Sequence, residues 1–324
     1  MCKNKKLKWW QKVLIGIGST IGGIIALLLV AVLTLNLGKY LIYSDYYSVR
    51  TLVCNNHGTN DNYASQGTAI TDDGKYLITS GYMSDKTNSR IYITEIATNK
   101  THFVKLNRVD GKKCTYHCGG VATEDNLIYI ASNDAIYTIN LDEALTADEL
   151  NLNLLFEVST QSSYVFTTDE YIYVGEFYDG AGYKTSNSLT YNNVSYNAMV
   201  EKYDRLNPTT PLEVIFVRNK VQGFAMTDKG AFVLSTSWGL ADSKLYYYKA
   251  ESKVNTNTTY LGVPCYVLET ADYVLTAPAM SEELDYYNGN IYTNFESACN
   301  KYIFGKFFAD ADKIVAIDIE KLVK

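Results

Sequence analysis

A short strand unit occurs five times along this chain. Its clearest copies are Gln66-Gly-Thr-Ala-Ile-Thr-Asp-Asp-Gly and Gln222-Gly-Phe-Ala-Met-Thr-Asp-Lys-Gly, and further copies begin at residues 119, 162 and 282. Each copy contains two apolar-alternating runs around an Asp/Asn/Gly turn, which indicates an antiparallel hairpin. The starts are 53, 43, 60 and 60 residues apart. This spacing is typical of propeller blades, each a four-stranded antiparallel sheet.

Further strands are predicted after each hairpin. Third strands are expected at residues 90–97, 135–141, 199–203, 244–249 and 313–319, and fourth strands at 101–106, 154–158, 212–217 and 264–268. The fifth repeat has only three strands, whereas the strand-like segment 46–54 has no blade. We therefore predict an all-β fold, a five-bladed β-propeller in which an N-terminal strand closes the last blade. A four-bladed or irregular β-sandwich is the alternative, and residues 141–150 are expected to form a short helix.

The N-terminal region predicts a membrane anchor. Residues 13–37 carry no charge, and as a helix of about 1.5 Å per residue they would cross a hydrocarbon core of about 30 Å. The apolar core of a cleaved signal peptide, the alternative, is only about 7–15 residues long. We predict a single transmembrane helix that acts as a signal anchor. The predicted regions are a basic cytoplasmic tail (1–12), the anchor (13–37), a linker with the closing strand (38–60) and the propeller (61–324).

Charge sets the expected orientation and partners. Five lysines precede the apolar run and favour a cytoplasmic N-terminus, so the propeller is expected outside the cell membrane; these lysines are Lys3, Lys5, Lys6, Lys8 and Lys12. The rest of the chain has 24 of the 29 basic residues against 35 acidic ones. An acidic body of this kind argues against a nucleic-acid partner.

Five cysteines follow the predicted membrane segment, an odd number that leaves at least one free or paired between chains. Cys114-Thr-Tyr-His117-Cys118 contains three residues that bind zinc in other proteins. A fourth ligand is not identifiable, so the pattern favours a disulfide or a reduced local pair of Cys114 and Cys118.

Polar side chains are expected to converge at the central mouth of the propeller. First strands start, and second strands end, near the axis on one face. The residues in those positions are Gln66, His117, Glu176, Gln222, Glu282 and Glu296. Glu176, Glu282 and Glu296 together with carboxamide oxygens would suit Ca²⁺. The same carboxylates could act as acid and base, or they could bind each other and water and fill the channel.

A tyrosine-rich insertion interrupts the third blade at residues 178–197. Tyr183 and Tyr191 lie in it among Gly, Ser, Thr and Asn. Rigid aromatic rings with adaptable polar neighbours are typical of recognition loops, and tyrosine rings stack on sugars. A solvated hairpin without a partner is the alternative.

Together the motifs resemble those of a family of secreted and membrane-anchored β-propeller proteins of Gram-positive bacteria. The resemblance covers roughly residues 60–320 and rests on Gln66-Gly-x-Ala, His117-x-Gly-Gly-x-Ala, Val174-Gly-Glu-Phe, Val221-Gln-Gly-x-Ala, Ala277-Pro-x-Met-Ser-Glu and Phe295-Glu-Ser. Ala279 replaces the second proline of the family's Ala-Pro-Pro-Met-Ser-Glu. The resemblance implies a propeller fold and no particular activity. The arrangement is more distantly similar to calcium-dependent lactonase-type propellers.

Three functions remain as hypotheses. The first is binding of a ligand, an envelope glycan or a protein, at the central mouth by Gln66, His117, Gln222, Tyr183, Tyr191 and the three glutamates. The second is Ca²⁺-assisted hydrolysis of a lactone, ester or glycoside. The third is a scaffold without catalytic activity, in which these polar residues are dispensable.

Overall fold

The computed structural model describes residues 7–302 and 311–324, apart from the side chains of residues 35 and 36. The chain divides into two compact units, Met1–Ser44 and Asp45–Lys324. In the first unit, helix α1 (Trp9–Ile42) has a mean hydropathy of 2.5 in its most apolar window and is long enough to cross a membrane. The predicted contribution of Lys3, Lys5 and Lys6 to orientation lies outside the described residues.

The second unit is a five-bladed propeller, which confirms the predicted fold. In chain order its strands are β1 (Arg50–Asn55), β2 (Tyr63–Ile70), β3 (Tyr76–Met83), β4 (Arg90–Glu95), β5 (Lys100–Asn107), β6 (Gly120–Glu124), β7 (Leu127–Ser132), β8 (Ala135–Asn140), β9 (Glu149–Asn151), β10 (Asn153–Glu157), β11 (Tyr164–Thr167), β12 (Tyr171–Gly175), β13 (Leu189–Tyr191), β14 (Val194–Tyr196), β15 (Ala198–Asp204), β16 (Pro211–Val217), β17 (Val221–Met226), β18 (Phe232–Thr236), β19 (Ser243–Tyr248), β20 (Lys253–Tyr260), β21 (Val263–Leu268), β22 (Tyr273–Ala277), β23 (Ser281–Tyr287), β24 (Asn290–Phe295) and β25 (Lys313–Asp318). The blades start at β2, β6, β11, β17 and β23.

The ends of the propeller meet in the fifth blade, as predicted. Its strand order is β23-β24-β25-β1, with Arg50 opposite Ile317 and Asn55 opposite Lys313. The predicted closing strand starts too early, however, because Ser44–Val49 forms helix α2. Tyr46 of this helix is buried and its ring meets that of Phe295 edge-on at 6.1 Å between centroids.

Residues 264–268 are not the fourth strand of blade 4, so this prediction is wrong. They belong to β21, which pairs in parallel with β16 of blade 3 and antiparallel with β20. The fourth strand of blade 4 is β22. The apolar residues of β21 cover the outer edge of blade 3, where Cys265 and Val267 pack against Phe216. An unpaired edge strand exposes backbone donors and acceptors, and this insertion satisfies them.

The predicted helix at residues 141–150 is shorter than expected. Helix α3 (Leu141–Ala144) starts where Asn140 accepts a hydrogen bond from the Glu143 amide, and it ends after one turn. The following strand β9 pairs in parallel with β5 of blade 1. Blades 2 and 4 therefore each extend the preceding blade with an insertion between their third and fourth strands. A last short helix, α4 (Ile319–Leu322), follows β25.

Candidate functional site

A cavity of about 610 Å³ opens where the first strands start and the second strands end. All five blades contribute to its lining. Six of the residues predicted for the mouth line it, namely Gln66, His117, Tyr183, Gln222, Glu282 and Glu296. Residues not predicted for the site also line it, including Tyr82, Asp134, Phe177, Trp238, Lys301 and Tyr302.

Strand bulges aim three of these side chains. The register of the first strand shifts around Gln66 in β2, around Gln222 in β17 and around Glu282 and Glu283 in β23. A bulge adds a residue that has no partner on the neighbouring strand and redirects its side chain. The same local irregularity at the start of three blades therefore turns three polar side chains into one cavity.

One part of the lining is a continuous polar network. The His117 ring Nε2 lies 2.6 Å from Gln66 Oε1, and the His117 ring packs at 4.6 Å from the ring of Tyr82. The Tyr82 hydroxyl donates to Glu296 Oε1 at 3.2 Å, and the Lys301 ammonium donates to the Tyr82 hydroxyl oxygen. Burial, together with the positive charges of Lys301 and Lys86, lowers the pKa of His117 to about 4. His117 is therefore neutral at neutral pH.

Glu282 and Glu296 form a pair of buried carboxyl groups in this cavity. Glu282 is only 4% exposed, and burial followed by the nearby Glu296 and Glu283 raises its pKa well above the usual value. Burial also raises the pKa of Glu296, but Lys301 and hydrogen bonds from Tyr302, Tyr82 and Gln66 oppose that rise. The pKa of both groups is raised, and because only Glu296 has a nearby cation and hydrogen-bond donors among the described residues, a shared proton favours Glu282 over Glu296.

An aromatic wall, formed by Phe177, Tyr183 and Trp238, lines the same cavity. The ring centroids lie 5.5 Å apart for Phe177 and Tyr183, 5.5 Å for Phe177 and Trp238, and 5.9 Å for Tyr183 and Trp238. Asp179 supports Tyr183, since its carboxylate accepts hydrogen bonds from the amides of Ala181, Gly182 and Tyr183. Tyr183 and Trp238 remain 49% and 43% exposed, so their rings are available to a ligand.

Glu176 does not line this cavity. It is fully buried and lines a separate cavity of about 230 Å³, where it accepts hydrogen bonds from Asn187 Nδ2 at 3.0 Å and the Met199 amide at 3.2 Å. Phe177, the next residue, lines the central cavity instead. Successive side chains point to opposite sides of an extended chain, and the prediction chose the wrong member of this pair.

Tyr191 also lies elsewhere. Strands β13 and β14 form a separate hairpin, and Tyr191 packs against the cluster around Tyr196, Met199 and Phe216 at the outside of blade 3. The tyrosine-rich insertion therefore contributes Tyr183 to the central cavity and uses Tyr191 for packing.

The three carboxylates predicted to bind calcium are not brought together, because Glu176 lies in a different cavity from Glu282 and Glu296. Across residues 7–302 and 311–324, one group of three acidic side chains has ligand atoms within 4.8 Å of one another, and it consists of Asp72, Glu124 and Asp125. Asp72 and Asp125 lie in turns between first and second strands and Glu124 ends β6, so the group is at the other end of the hairpins. Arg205 Nη2 donates to Asp125 Oδ2 at 2.6 Å in this group.

The five cysteines among the described residues are free thiols, and all five are buried. Cys114 and Cys118 share a hydrogen bond, which lowers the pKa of Cys114 and raises that of Cys118. This is the reduced local pair among the predicted alternatives. The zinc arrangement is not formed within the described residues, and His117 contacts Gln66 and Tyr82 instead.

Glu283 occupies the axis beneath the cavity and was not predicted. Its Oε2 accepts hydrogen bonds from the amides of Thr68 at 3.2 Å and Val121 at 2.5 Å, and its Oε1 accepts one from Val165 at 2.8 Å. One carboxyl group thereby joins the first strand of blade 5 to those of blades 1, 2 and 3. Burial raises the pKa of Glu283, and these three donors oppose the rise.

Sequence signals for the missed residues do exist. In the aligned repeats, Glu283 stands in the column that holds Gly67, Gly120 and Gly223. A Cβ at Gly67 or Gly120 would approach the Glu283 carboxylate to 2.8 or 2.7 Å, so these glycines make room for it. Trp238 lies two residues after the end of the second strand β18, but the prediction considered only polar residues at such ends and therefore passed over it.

No protein-family model and no curated protein matches the chain. Solved structures similar to it include the PQQ-bound aldose sugar dehydrogenase from Streptomyces coelicolor, 15% identical over 76% of this chain and 77% of that one, with a TM-score of 0.44. A nidogen/laminin complex is 11% identical over 72% and 73%, with a TM-score of 0.42. Hydrazine synthase from Kuenenia stuttgartiensis is 10% identical with a TM-score of 0.38, over 74% of this chain and only 57% of that chain. Likenesses at this level concern the fold and carry no argument about activity.

Proposed function

We propose that this protein is a membrane-tethered extracellular propeller that binds a saccharide of the cell envelope in its central cavity. The observation that carries the proposal is the composition of one cavity of about 610 Å³, which combines the aromatic wall with Gln66, Gln222, Glu282 and Glu296. Ligand pockets of this size join apolar surface with a few polar groups that fix orientation. Flat rings stack on the apolar faces of a sugar, while amide and carboxyl groups bind its hydroxyls.

Trp238 allows a direct test, because the other two tryptophans, Trp9 and Trp10, lie at the start of α1. With Trp9→Phe and Trp10→Phe in the detergent-solubilised full chain, all tryptophan emission comes from the cavity. We expect saccharides selected on a glycan array to change this emission with saturation. Isothermal titration should show at least a tenfold weaker affinity for Trp238→Ala.

Phe103→Ala is the matched control, since Phe103 is an aromatic residue that is 39% exposed and does not line the cavity. Its affinity should equal that of the parent. If no saccharide binds, or if Trp238→Ala and Phe103→Ala behave alike, the binding proposal is wrong. A scaffold that acts through its outer rim would then be favoured.

The extracellular placement depends on the orientation of α1. Lys8 precedes this helix and Lys12 lies in its first turn, and basic residues are retained on the cytoplasmic side. Protease added to intact cells should therefore remove the propeller and spare a tag fused to the N-terminus. Removal of the tag instead would reverse the proposed orientation.

Hydrolysis of the bound saccharide is a second candidate function, favoured by the different surroundings of Glu282 and Glu296. A protonated Glu282 could donate to the glycosidic oxygen while an ionised Glu296 accepts a proton from water, so that the C1–O bond breaks and a C1–OH bond forms. Glu296→Gln should then retain saccharide binding and abolish release of reducing ends. Binding without release of reducing ends in the parent protein would exclude this function for that saccharide.

A further inference from the structure

We propose that the central cavity selects saccharides that carry a free amine, with the ammonium group bound beside Glu282 and Glu296. This inference rests on the proposed saccharide binding and adds the chemical class of the ligand. It depends on three features of the cavity: its net charge, the state of Glu282 and the presence of the aromatic wall.

The charges that line the cavity are unbalanced. Asp134, Glu282 and Glu296 supply three carboxyl groups, whereas Lys301 is the one basic side chain that lines it within the described residues. His117 does not add a positive charge at neutral pH, because its pKa is lowered to about 4. Lys301 already interacts with the Tyr82 hydroxyl and ring. A cationic ligand would therefore reduce a negative excess, and an anionic ligand would increase it.

Among the residues that the structure describes, none compensates for the burial of Glu282. Its side chain lines the cavity and is 4% exposed, and no hydrogen bond reaches its carboxyl group from any residue that the structure describes. The titratable groups that face it are Glu283 on its own strand and, from the neighbouring elements, Glu296 and Tyr302. Two of these three are themselves acidic. A buried carboxylate with neither a cation nor a hydrogen-bond donor is unfavourable, so Glu282 favours its neutral form until a cation compensates for its charge.

A ligand ammonium group would supply the cation and the hydrogen-bond donors that Glu282 needs. It has three N–H donors and a positive charge, enough to bind both Glu282 and Glu296. By contrast, a hydroxyl group or an N-acetyl group offers a single donor and no charge. An amine therefore supplies the charge and the donors that Glu282 and Glu296 need, and its acetylated form does not.

The aromatic wall supports the same preference. Aromatic faces attract cations through the ring quadrupole, and tryptophan does so most strongly. Phe177, Tyr183 and Trp238 lie within 6 Å of one another by ring centroids and line the cavity together with both glutamates. A sugar ring with an ammonium substituent can use the rings for its apolar face and for part of its charge.

The test compares two probes that differ only in acetylation, N,N′-diacetylchitobiose and its fully deacetylated form. Binding is followed by Trp238 emission in the full chain with Trp9→Phe and Trp10→Phe. We expect the amine form to bind at least tenfold more tightly at pH 6.5. Glu282→Gln should abolish this preference, so that the two forms bind with equal affinity, whereas Glu282→Asp should retain part of the preference. Thermal melts would establish that each variant is folded.

The outcomes separate the two proposals. Equal affinity for both probes overturns the amine preference and leaves saccharide binding in place. Binding of neither probe overturns both for this class of sugar. A preference that persists in folded Glu282→Gln assigns the selectivity to other groups and overturns the role of the carboxyl pair. If Glu282→Gln does not fold, the comparison of the two probes on the parent protein still decides whether the amine is preferred.

Discussion

At the scale of single residues, Glu283 joins its own blade to three others. Its two oxygens accept hydrogen bonds from backbone amides in three other blades. The side chain fits because Gly67 and Gly120 leave space beside its carboxylate. A propeller with a polar axis must satisfy the backbone groups that face the axis, and a single carboxyl group does so here for three first strands.

Glu283→Gln is expected to destabilise the propeller by about 2–4 kcal/mol. The glutamine side chain has nearly the same shape, but its NH₂ group replaces one acceptor and faces a backbone amide. Urea denaturation followed by circular dichroism would measure the loss. Glu251→Gln, at an exposed position on a short 3₁₀ helix, is the control and should change the unfolding free energy by less than about 0.5 kcal/mol.

Glu176 predicts a pH dependence of stability. Burial raises its pKa to about 7, whereas an unfolded glutamate has a pKa of about 4.3. The folded state therefore binds the proton more tightly, and this contribution to stability, present below about pH 4, is lost as the pH rises through 7. Glu176→Gln should remove on the order of 2–3 kcal/mol of the decrease between pH 5 and pH 8. Identical pH profiles for the two proteins, in thermal or urea unfolding, would contradict this assignment.

Sequence patterns located the cavity but not every side chain in it. First-strand starts and second-strand ends correctly placed Gln66 and Glu296 at the mouth. Glu176 and Phe177 are neighbours on an extended segment, where successive side chains point to opposite sides. An error of one residue therefore selects a side chain that points away from the cavity. Polar character was a poor guide here, because Glu176 has hydrogen-bond donors outside the central cavity, in Asn187 Nδ2 and the Met199 amide.

At the scale of elements, the two insertions show how this propeller protects the outer edges of its blades. β9 extends blade 1 and β20–β21 extend blade 3, and in each case the segment comes from the following blade. Both insertions pair in parallel with the fourth strand of the preceding blade. The spacing of 43 to 60 residues between repeats could not reveal this, because it shows how much chain a blade uses and not which blade the extra chain covers.

Val267→Pro tests the assignment of β21 to blade 3. Val267 is fully buried and lies opposite Phe216 in β16, and proline removes its amide and interrupts the sheet. Hydrogen exchange in β16 should become at least tenfold faster, while exchange in β19 stays unchanged. The matched control is Val274→Pro in β22, which should accelerate exchange in β19 and spare β16, since β22 pairs with β19. The opposite pattern would place β21 in blade 4.

At the scale of the whole molecule, the repeat was sufficient to predict the ring. Five copies gave five blades, and the missing strand of the last blade matched the unassigned strand near the N-terminus. Local propensity did not place the start of that strand, because Tyr46 packs against Phe295 from a helix rather than from a sheet. Contacts that join distant parts of the chain decided the conformation of this segment, and a short sequence window does not contain them.

Closure of the ring by β1 leads to the last prediction. β1 pairs with β25, and its Cys54 is buried with Leu77 of blade 1 and Ile314 of blade 5. Without β1, the edge of β25 would be exposed and blades 1 and 5 would lose part of their shared core. A chain of residues 56–324 should therefore melt at least 10 °C below one of residues 45–324, which keeps the entire second unit. A synthetic peptide of residues 45–55 should restore part of the difference, because the strand would bind in trans to the open edge. Equal melting temperatures for the two truncated chains would show that the propeller holds together without its closing strand.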